Sequence, residues 1–175
     1  MNLYLIGYRG SGKTTVAGPL AAALGWKTID SDDEIEALVG KTIKQIFADE
    51  GESGFRDWET SVIESLSKRQ QMVVSLGGGA ILAEKNRQLI QETGKVVWLR
   101  IEAQTSWQRI SHDEKSADQR PDLTQTGGIR EIEQMLEKRT PIYQSCANLT
   151  LDADSASPQQ LADRIFDQFE SELLS

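Results

Sequence analysis

Short apolar runs alternate with longer mixed stretches along this chain. Five apolar runs have the length of buried strands, and we predict strands at 2–6, 27–29, 72–76, 95–101 and 148–151. The stretches between them have helical spacing or end at glycine, and we predict helices at 16–25, 32–40, 42–51, 55–70, 83–94, 127–145 and 158–174. Strands that alternate with helices indicate an α/β fold, with a mostly parallel sheet covered by helices on both faces.

A proline and one polar segment interrupt this regular pattern. Pro19 falls within the first predicted helix, and we expect it in the first turn, where its missing N–H is tolerated. Residues 111–128 are polar and charged, and a long polar loop in a compact chain is usually either mobile or functional. The chain shows no repeat and no linker, so residues 1–175 are predicted to form a single domain.

Composition and charge narrow the class of protein. No apolar run approaches the roughly 20 residues that a membrane span needs, and no basic segment precedes the first strand. The single cysteine, Cys146, and the single histidine, His112, exclude an internal disulfide framework and a cysteine-based zinc cluster. The net charge of −8 argues against nucleic-acid binding. We expect a cytoplasmic protein without a membrane or nucleic-acid partner, in which Cys146 is a small buried residue.

A glycine-rich segment follows the first strand directly. Residues 7–15, GYRGSGKTT, match the pattern G-x-x-x-x-G-K-[ST] and lead into a predicted helix. Glycines let successive backbone N–H groups point into one concavity, and the helix start adds partial positive charge. Such a loop binds nucleotide phosphates, here through Gly10, Ser11, Gly12, Lys13, Thr14 and Thr15. Lys13 would reach the β- and γ-phosphates, and the Thr14 hydroxyl would coordinate Mg²⁺.

A phosphate loop alone does not distinguish a switch GTPase from a small-molecule kinase. The guanine-recognition motif N-K-x-D is absent from the sequence, and the chain is short. Both observations favour a small kinase whose acceptor binds beside the nucleotide.

Two acidic residues at the end of the second predicted strand are candidates for the acceptor side. Asp30 and Asp32 are two positions apart, so on an extended segment they would share a face. One carboxylate would serve as a metal ligand and the other as the partner of an acceptor hydroxyl. The alternative is an acidic helix start, which is our interpretation of Asp33 and Glu34.

Glycines and arginines supply the other candidates. Gly77, Gly78 and Gly79 follow the third strand, where many phosphate-loop enzymes have an acid and this chain has Ser75. Three glycines in a row would let a ligand approach the backbone closely. Arginine suits carboxylates and phosphates because it donates two parallel hydrogen bonds. Such arginines occur in the segments GFRDWE, RPDL and RTPIY, although any one of them could equally be a solvated surface charge.

Taken together, these motifs resemble those of the shikimate kinases. GxxGxGKT, DSD, GFRxxE, LGGGA, RP and RTPxY occur in the order of that family, over residues 2 to about 170. The resemblance implies a P-loop NTPase-type five-stranded parallel sheet, similar to nucleoside monophosphate kinases, with a mobile lid at about 111–126. It also implies transfer of the γ-phosphate of ATP to the 3-hydroxyl of shikimate, with Mg²⁺, in aromatic amino acid (chorismate) biosynthesis.

The resemblance also assigns roles to individual residues. Asp30 would hold Mg²⁺ with Thr14, while Asp32 would bind the ring hydroxyls and act as the candidate base. The substrate-binding set would be Asp32, Arg56, Gly77, Gly78, Gly79 and Arg139, with the two arginines on the carboxylate. Lys13 and the lid residue Arg120 would neutralise the transferring phosphate. Arg109 and Pro158 would bracket the adenine ring.

Two other functions use the same scaffold. A gluconate kinase also binds a carboxylate and hydroxyls, so Arg56 and Arg139 alone do not exclude it, whereas the combination DSD–GFR–GGG favours shikimate. A non-catalytic nucleotide-binding module would usually have lost some of these five residues, and all five are present: Lys13, Thr14, Asp30, Asp32 and Arg120. We expect a monomer whose partners are the small molecules shikimate and ATP.

Overall fold

The computed structural model describes residues 1–112 and 128–173 of the chain. In chain order its elements are β1 (Asn2–Ile6), α1 (Lys13–Leu24), β2 (Lys27–Asp30), α2 (Ser31–Val39), α3 (Ile43–Ser67), β3 (Met72–Ser75), a short 3-10 helix (Ala80–Leu82), α4 (Glu84–Thr93), β4 (Gly94–Arg100), α5 (Ala103–His112), α6 (Ile129–Cys146), β5 (Leu149–Asp152) and α7 (Pro158–Leu173). Arg120 and nearly all of the predicted lid lie outside the described residues.

The five strands form one parallel sheet in the order β2-β3-β1-β4-β5. In the central strand β1, Leu3 pairs with Val73 of β3 on one side and with Lys95 of β4 on the other. All five residues of β1 are buried, as expected for a strand covered on both faces. The predicted fold class, an α/β fold with a five-stranded parallel sheet, is therefore confirmed.

Helices pack on both faces of the sheet because β1 alternates its side chains between them. Tyr4 and Ile6 belong to a core with buried residues of α2, α3, α4 and α6. Leu3 and Leu5 belong to a second core with buried residues of α1 and α7. Within the described ranges, no helix combines the length and the hydrophobicity that a membrane span requires.

Two helices differ from the sequence prediction. The helices predicted at 42–51 and 55–70 do not, since they lie in α3 on the two sides of a kink at the non-helical residue Gly51 (φ 71°, ψ −174°). Pro19 lies in the interior of α1 rather than in its first turn, because the helix already begins at Lys13. Helix α5 was not predicted at all, and it includes residues 111–112 of the segment that we expected to be a loop.

Candidate active site

The phosphate loop joins β1 to α1 at the carboxyl edge of the sheet. Gly10 (φ 76°) and Gly12 (φ 84°) adopt left-handed conformations that L side chains rarely occupy. The first hydrogen bond of α1 runs from Val16 N to Gly12 O at 2.9 Å, so the helix N-terminus opens directly onto the loop. A helix start with exposed N–H groups and a positive dipole end is suited to binding an anion.

Lys13 lies across the loop that it follows. Its Nζ donates to Gly7 O at 2.9 Å and to Tyr8 O at 3.1 Å. The ammonium group therefore holds the first two carbonyls of the loop together and keeps a positive charge at the phosphate-binding edge.

A groove of about 530 Å³ opens beside the loop. Its polar wall contains Gly10, Ser11, Gly12, Lys13, Thr14, Thr15 and Arg109, and its apolar wall contains Val16, Ile110, Ala153, Ala156, Pro158 and Leu161. The structure thus brings together every predicted ATP-binding residue that it describes. The sequence analysis missed most of the apolar wall, since alanines and an isoleucine carry no motif. A cavity with an apolar wall and a few convergent polar groups is typical of a small-molecule site.

Helix α5 braces the phosphate loop from outside. Arg109 donates from Nη1 to Gly10 O at 3.0 Å and from Nη2 to Ala153 O at 3.1 Å. The buried Ser106 hydroxyl donates to Arg9 O at 2.8 Å. The helix that the sequence did not predict therefore connects the loop to the segment after β5.

Three oxygen-bearing side chains meet at the start of α1. Thr14 Oγ1 donates to Asp30 Oδ2 at 2.9 Å and lies 3.2 Å from Ser75 Oγ. Hydroxyl and carboxylate oxygens are ligands that Mg²⁺ prefers. Within residues 1–112 and 128–173, no cluster of three or more His, Cys, Asp or Glu residues could form an all-protein metal cage. A sparse oxygen set beside a phosphate loop fits Mg²⁺, which usually keeps several waters and binds phosphate oxygens.

Asp30 is the last residue of β2, whereas Asp32 lies in the first turn of α2, so the two do not share one extended segment. Asp30 is the N-cap of α2, and its Oδ1 accepts from Asp32 N at 3.0 Å. Our shared-face argument for this pair is therefore wrong, because α2 begins at Ser31. The acidic helix start proposed for Asp33 and Glu34 is confirmed, and Asp32 belongs to the same first turn. The positive end of the helix dipole favours the ionised form of carboxylates there.

Arg56 lies between two carboxylates on α3. Its Nη1 lies 2.7 Å from Glu59 Oε2, and its Nη2 lies 3.3 Å from Glu52 Oε1. Burial tends to lower the pKa of Arg56, but the charge and hydrogen bond of Glu59, with those of Glu52, outweigh it, so the pKa is raised. Glu59 is only 1% exposed. The sequence analysis quoted Glu59 within the GFRxxE motif but gave it no role, although its spacing of three residues from Arg56 was a usable signal.

The glycine loop after β3 lies between the phosphate loop and Arg56. A Cβ built on Gly78 would lie 3.3 Å from Gly7 O, and one built on Gly79 would lie 2.6 Å from Arg56 Cζ. Gly79 has an ordinary φ of −103°, so its backbone conformation does not require glycine. The lack of a side chain instead leaves room for the guanidinium of Arg56. The amide of Gly77 donates to Ser31 Oγ at 3.0 Å, which attaches the loop to the start of α2.

Arg139 approaches the same loop from α6. It is 6% exposed, donates from Nη1 to Gly78 O at 3.2 Å, and places Cζ 5.7 Å from the centre of the Tyr8 ring. The phenol of Tyr143 donates to the same carbonyl at 2.5 Å. The structure therefore brings Arg56, Arg139 and the glycine loop together next to the phosphate loop.

Sequence and structure comparisons identify the family. A family model described as shikimate kinase matches residues 9–170. The chain belongs to the shikimate kinase family. It is thus a phosphotransferase with an alcohol group as acceptor, from the family that phosphorylates shikimate with ATP in aromatic amino acid biosynthesis.

Relatives of this family match almost the whole chain. The shikimate kinase of Rhodopirellula baltica is 41% identical over 160 residues, which cover 91% of this chain and 86% of the relative. A solved shikimate kinase from Acinetobacter baumannii, in complex with shikimate, superposes with a TM-score of 0.90 at 37% identity, covering 99% of this chain and 95% of that one. The shikimate kinase of Aquifex aeolicus has a TM-score of 0.81 at 30% identity, covering 99% of each chain.

Proposed function

We propose that this chain transfers the γ-phosphoryl group of ATP to the 3-hydroxyl of shikimate, giving shikimate 3-phosphate and ADP. The observation that carries this proposal is the meeting of two loops. The phosphate loop and the glycine loop are in contact at Gly7 and Gly78, and the arginines Arg56 and Arg139 lie against the glycine loop. A phosphate donor and a carboxylate-bearing acceptor would therefore bind side by side.

The nucleotide would occupy the groove beside α1. The amides of residues 10–15 and Lys13 would bind the phosphates, while Arg109 and Pro158 would line the adenine end. Lys13 would release the carbonyls of Gly7 and Tyr8 as it turns to the β- and γ-phosphates. We also propose that Arg120, outside the described residues, closes over the phosphates.

Thr14 and Asp30 would hold Mg²⁺ together with the phosphate oxygens. When bound, the ion supplies charge neutralisation on the transferring group. The 2.9 Å contact between Thr14 Oγ1 and Asp30 Oδ2 supports this pairing, since both oxygens already face one point.

The acceptor would bind between the glycine loop and α2. Arg56 and Arg139 would grip its carboxylate, and the backbone of residues 77–79 would contact its ring. Asp32 would accept a hydrogen bond from the reacting hydroxyl and take its proton as the oxygen bonds to the γ-phosphorus. Arg56 and Arg139 explain how a chain with a net charge of −8 could bind an acid, because they concentrate positive charge at the acceptor site.

The decisive experiment measures ADP release by the purified protein from Mg-ATP, with shikimate, quinate or gluconate as acceptor. We expect release with shikimate only. Release with gluconate instead would keep the nucleotide site and overturn the acceptor assignment. No release with any acceptor, from protein shown to bind ATP, would overturn the enzymatic proposal.

We further propose that the chain works as a single-domain monomer in the cytoplasm, with shikimate and ATP as its partners. Light scattering after gel filtration, with and without both substrates, tests the monomer. A mass of twice the chain mass of 19.4 kDa would contradict it.

A further inference from the structure

The peptide groups of the glycine loop are held one by one. Three successive glycines allow peptide planes to rotate at little steric cost, so fixed orientations need partners. Gly77 O accepts from Ala80 N at 2.9 Å, and Gly79 O accepts from Leu82 N at 3.0 Å. These two carbonyls are fixed by the backbone of the 3-10 helix. The plane between Gly78 and Gly79 is fixed by side chains of α6 instead.

The Gly78 carbonyl accepts two hydrogen bonds. The Tyr143 hydroxyl donates at 2.5 Å and Arg139 Nη1 donates at 3.2 Å. Tyr143 is fully buried, and its ring stacks on Trp98 with 5.6 Å between the centres. Packing against Trp98 fixes the ring, and the ring in turn fixes the position of the hydroxyl.

We infer that Tyr143 is a positioning residue for the acceptor, acting through the Gly78–Gly79 peptide. In a trans peptide the C=O and the following N–H point in opposite directions. Because Tyr143 and Arg139 draw the Gly78 carbonyl toward α6, the Gly79 N–H points away from α6. Among the described residues, no protein acceptor takes that N–H. The inference rests on the proposed function, in which this side of the loop faces the acceptor.

Loss of the Tyr143 hydroxyl would weaken acceptor binding in two ways. The Gly78–Gly79 plane could rotate and turn a carbonyl oxygen, instead of an N–H, toward an anionic acceptor. Without the Tyr143 hydroxyl, the Gly78 carbonyl would accept from Arg139 alone. That contact would draw the Arg139 guanidinium away from the carboxylate of the acceptor. The nucleotide contacts near α1 and α5 involve neither residue, so ATP binding should be unaffected.

The test compares Tyr143→Phe with Tyr4→Phe in the full chain. Both tyrosines are fully buried, and the Tyr4 hydroxyl lies 2.9 Å from Thr93 Oγ1 and accepts from Asn2 Nδ2 at 3.1 Å, away from the site residues. Each variant loses one buried hydroxyl without losing the ring. We expect Tyr143→Phe to lower kcat/KM for shikimate about tenfold while KM for ATP stays within about twofold. Tyr4→Phe should retain wild-type kinetics although its Tm falls.

Calorimetric titration with shikimate gives a second readout that does not depend on turnover. We expect weaker shikimate binding by Tyr143→Phe and wild-type binding by Tyr4→Phe. Wild-type kinetics and binding in Tyr143→Phe would overturn the inference, and so would equal losses for ATP and shikimate. If the wild-type protein itself releases no ADP with shikimate, the proposed function fails instead, so the two failures are distinguishable.

Discussion

At the scale of single residues, the carboxylates of the site differ in their hydrogen-bond and ion-pair partners. Asp30 caps α2 and accepts from Thr14, whereas Glu59 is buried against Arg56. Asp32 lies in the first turn of α2, next to Asp30, and is the carboxylate that we assign to the acceptor hydroxyl.

Replacing Asp32 with asparagine should remove proton acceptance while keeping the size of the side chain. We expect kcat to fall by roughly 100-fold or more, with ATP affinity nearly unchanged, because general base catalysis contributes about 10²–10⁴-fold. Steady-state kinetics and ATP titration provide the measurement. Asp33→Asn, in the same helical turn but exposed, is the matched control. An equal loss in both variants would indicate a helix-dipole effect rather than base catalysis.

Glu59 should act through Arg56. Glu59→Gln keeps the shape but loses the charge beside the guanidinium, so Arg56 should be held less firmly for the carboxylate. A charged hydrogen bond is worth about 1.5–3 kcal/mol, so we expect KM for shikimate to rise roughly tenfold and kcat to change little. Glu52→Gln is the control, since Glu52 is 58% exposed and pairs with Arg56 at 3.3 Å. Equal KM values in the two variants would contradict the assignment.

At the scale of elements, two glycines in helices have opposite roles. Gly18 lies in α1 with open space where a Cβ would stand, whereas Gly51 interrupts α3 at φ 71° and ψ −174°, a conformation nearly confined to glycine. The difference gives a paired prediction about stability.

Gly18→Ala should raise the free energy of unfolding by about 0.5–1 kcal/mol, because alanine loses less backbone entropy on folding. Gly51→Ala should lower it by about 1–3 kcal/mol, because the side chain strains the kink. Urea denaturation of both variants against wild type measures the two changes. Stabilisation by Gly51→Ala would mean that α3 straightens at that position.

Helix α5 shows how long-range contacts hold a helix of mostly polar sequence. Its sequence, AQTSWQRISH, has apolar residues only at Ala103, Trp107 and Ile110, and Ser106 is its one buried residue. The helix is nevertheless held by Arg109 and Ser106 on the phosphate loop and by Ile110, which packs against the small core of Tyr8, Ile101 and Ile132. The i, i+4, i+7 spacing of Ala103, Trp107 and Ile110 was a usable helical signal that the sequence analysis did not apply, whereas the contacts to the phosphate loop could be seen only in the tertiary structure.

At the scale of the whole molecule, Cys146 is a probe of global opening. It is 1% exposed, and burial raises the pKa of its thiol from 9.0 to about 11. The pKa is raised in the folded state, so the stability that this thiol contributes is fully present below pH 9 and is lost as pH rises toward 11. At pH 8 roughly one thiol in a thousand would be ionised.

We therefore expect a disulfide reagent to label native Cys146 only when the molecule opens. Mg-ATP at about 100 times its Kd stabilises the folded state by about 2.7 kcal/mol and should slow labelling roughly 100-fold. The urea-unfolded protein, which should label rapidly, is the control. Labelling that ligand does not slow would show that Cys146 is exposed by local opening of α6 instead.

The sheet architecture and the phosphate loop, with the candidates for most of the other site residues, could be predicted from the amino-acid sequence. These features are local: a buried strand is a run of apolar residues, and the loop is eight consecutive positions whose glycines and helix start shape the backbone. The family resemblance gave roles to the candidates Asp32, Arg56 and Arg139, since each stands in a short motif.

The contacts that hold these residues in place could be seen only in the folded chain. Arg109 reaches Gly10 across 99 positions, Tyr143 reaches Gly78 across 65, and Thr14 meets Ser75 across 61. Burial likewise turned Glu59 from one acid among many into the partner of Arg56. Such pairings depend on which strands and helices become neighbours, and parallel strands bring distant segments to one edge of the sheet.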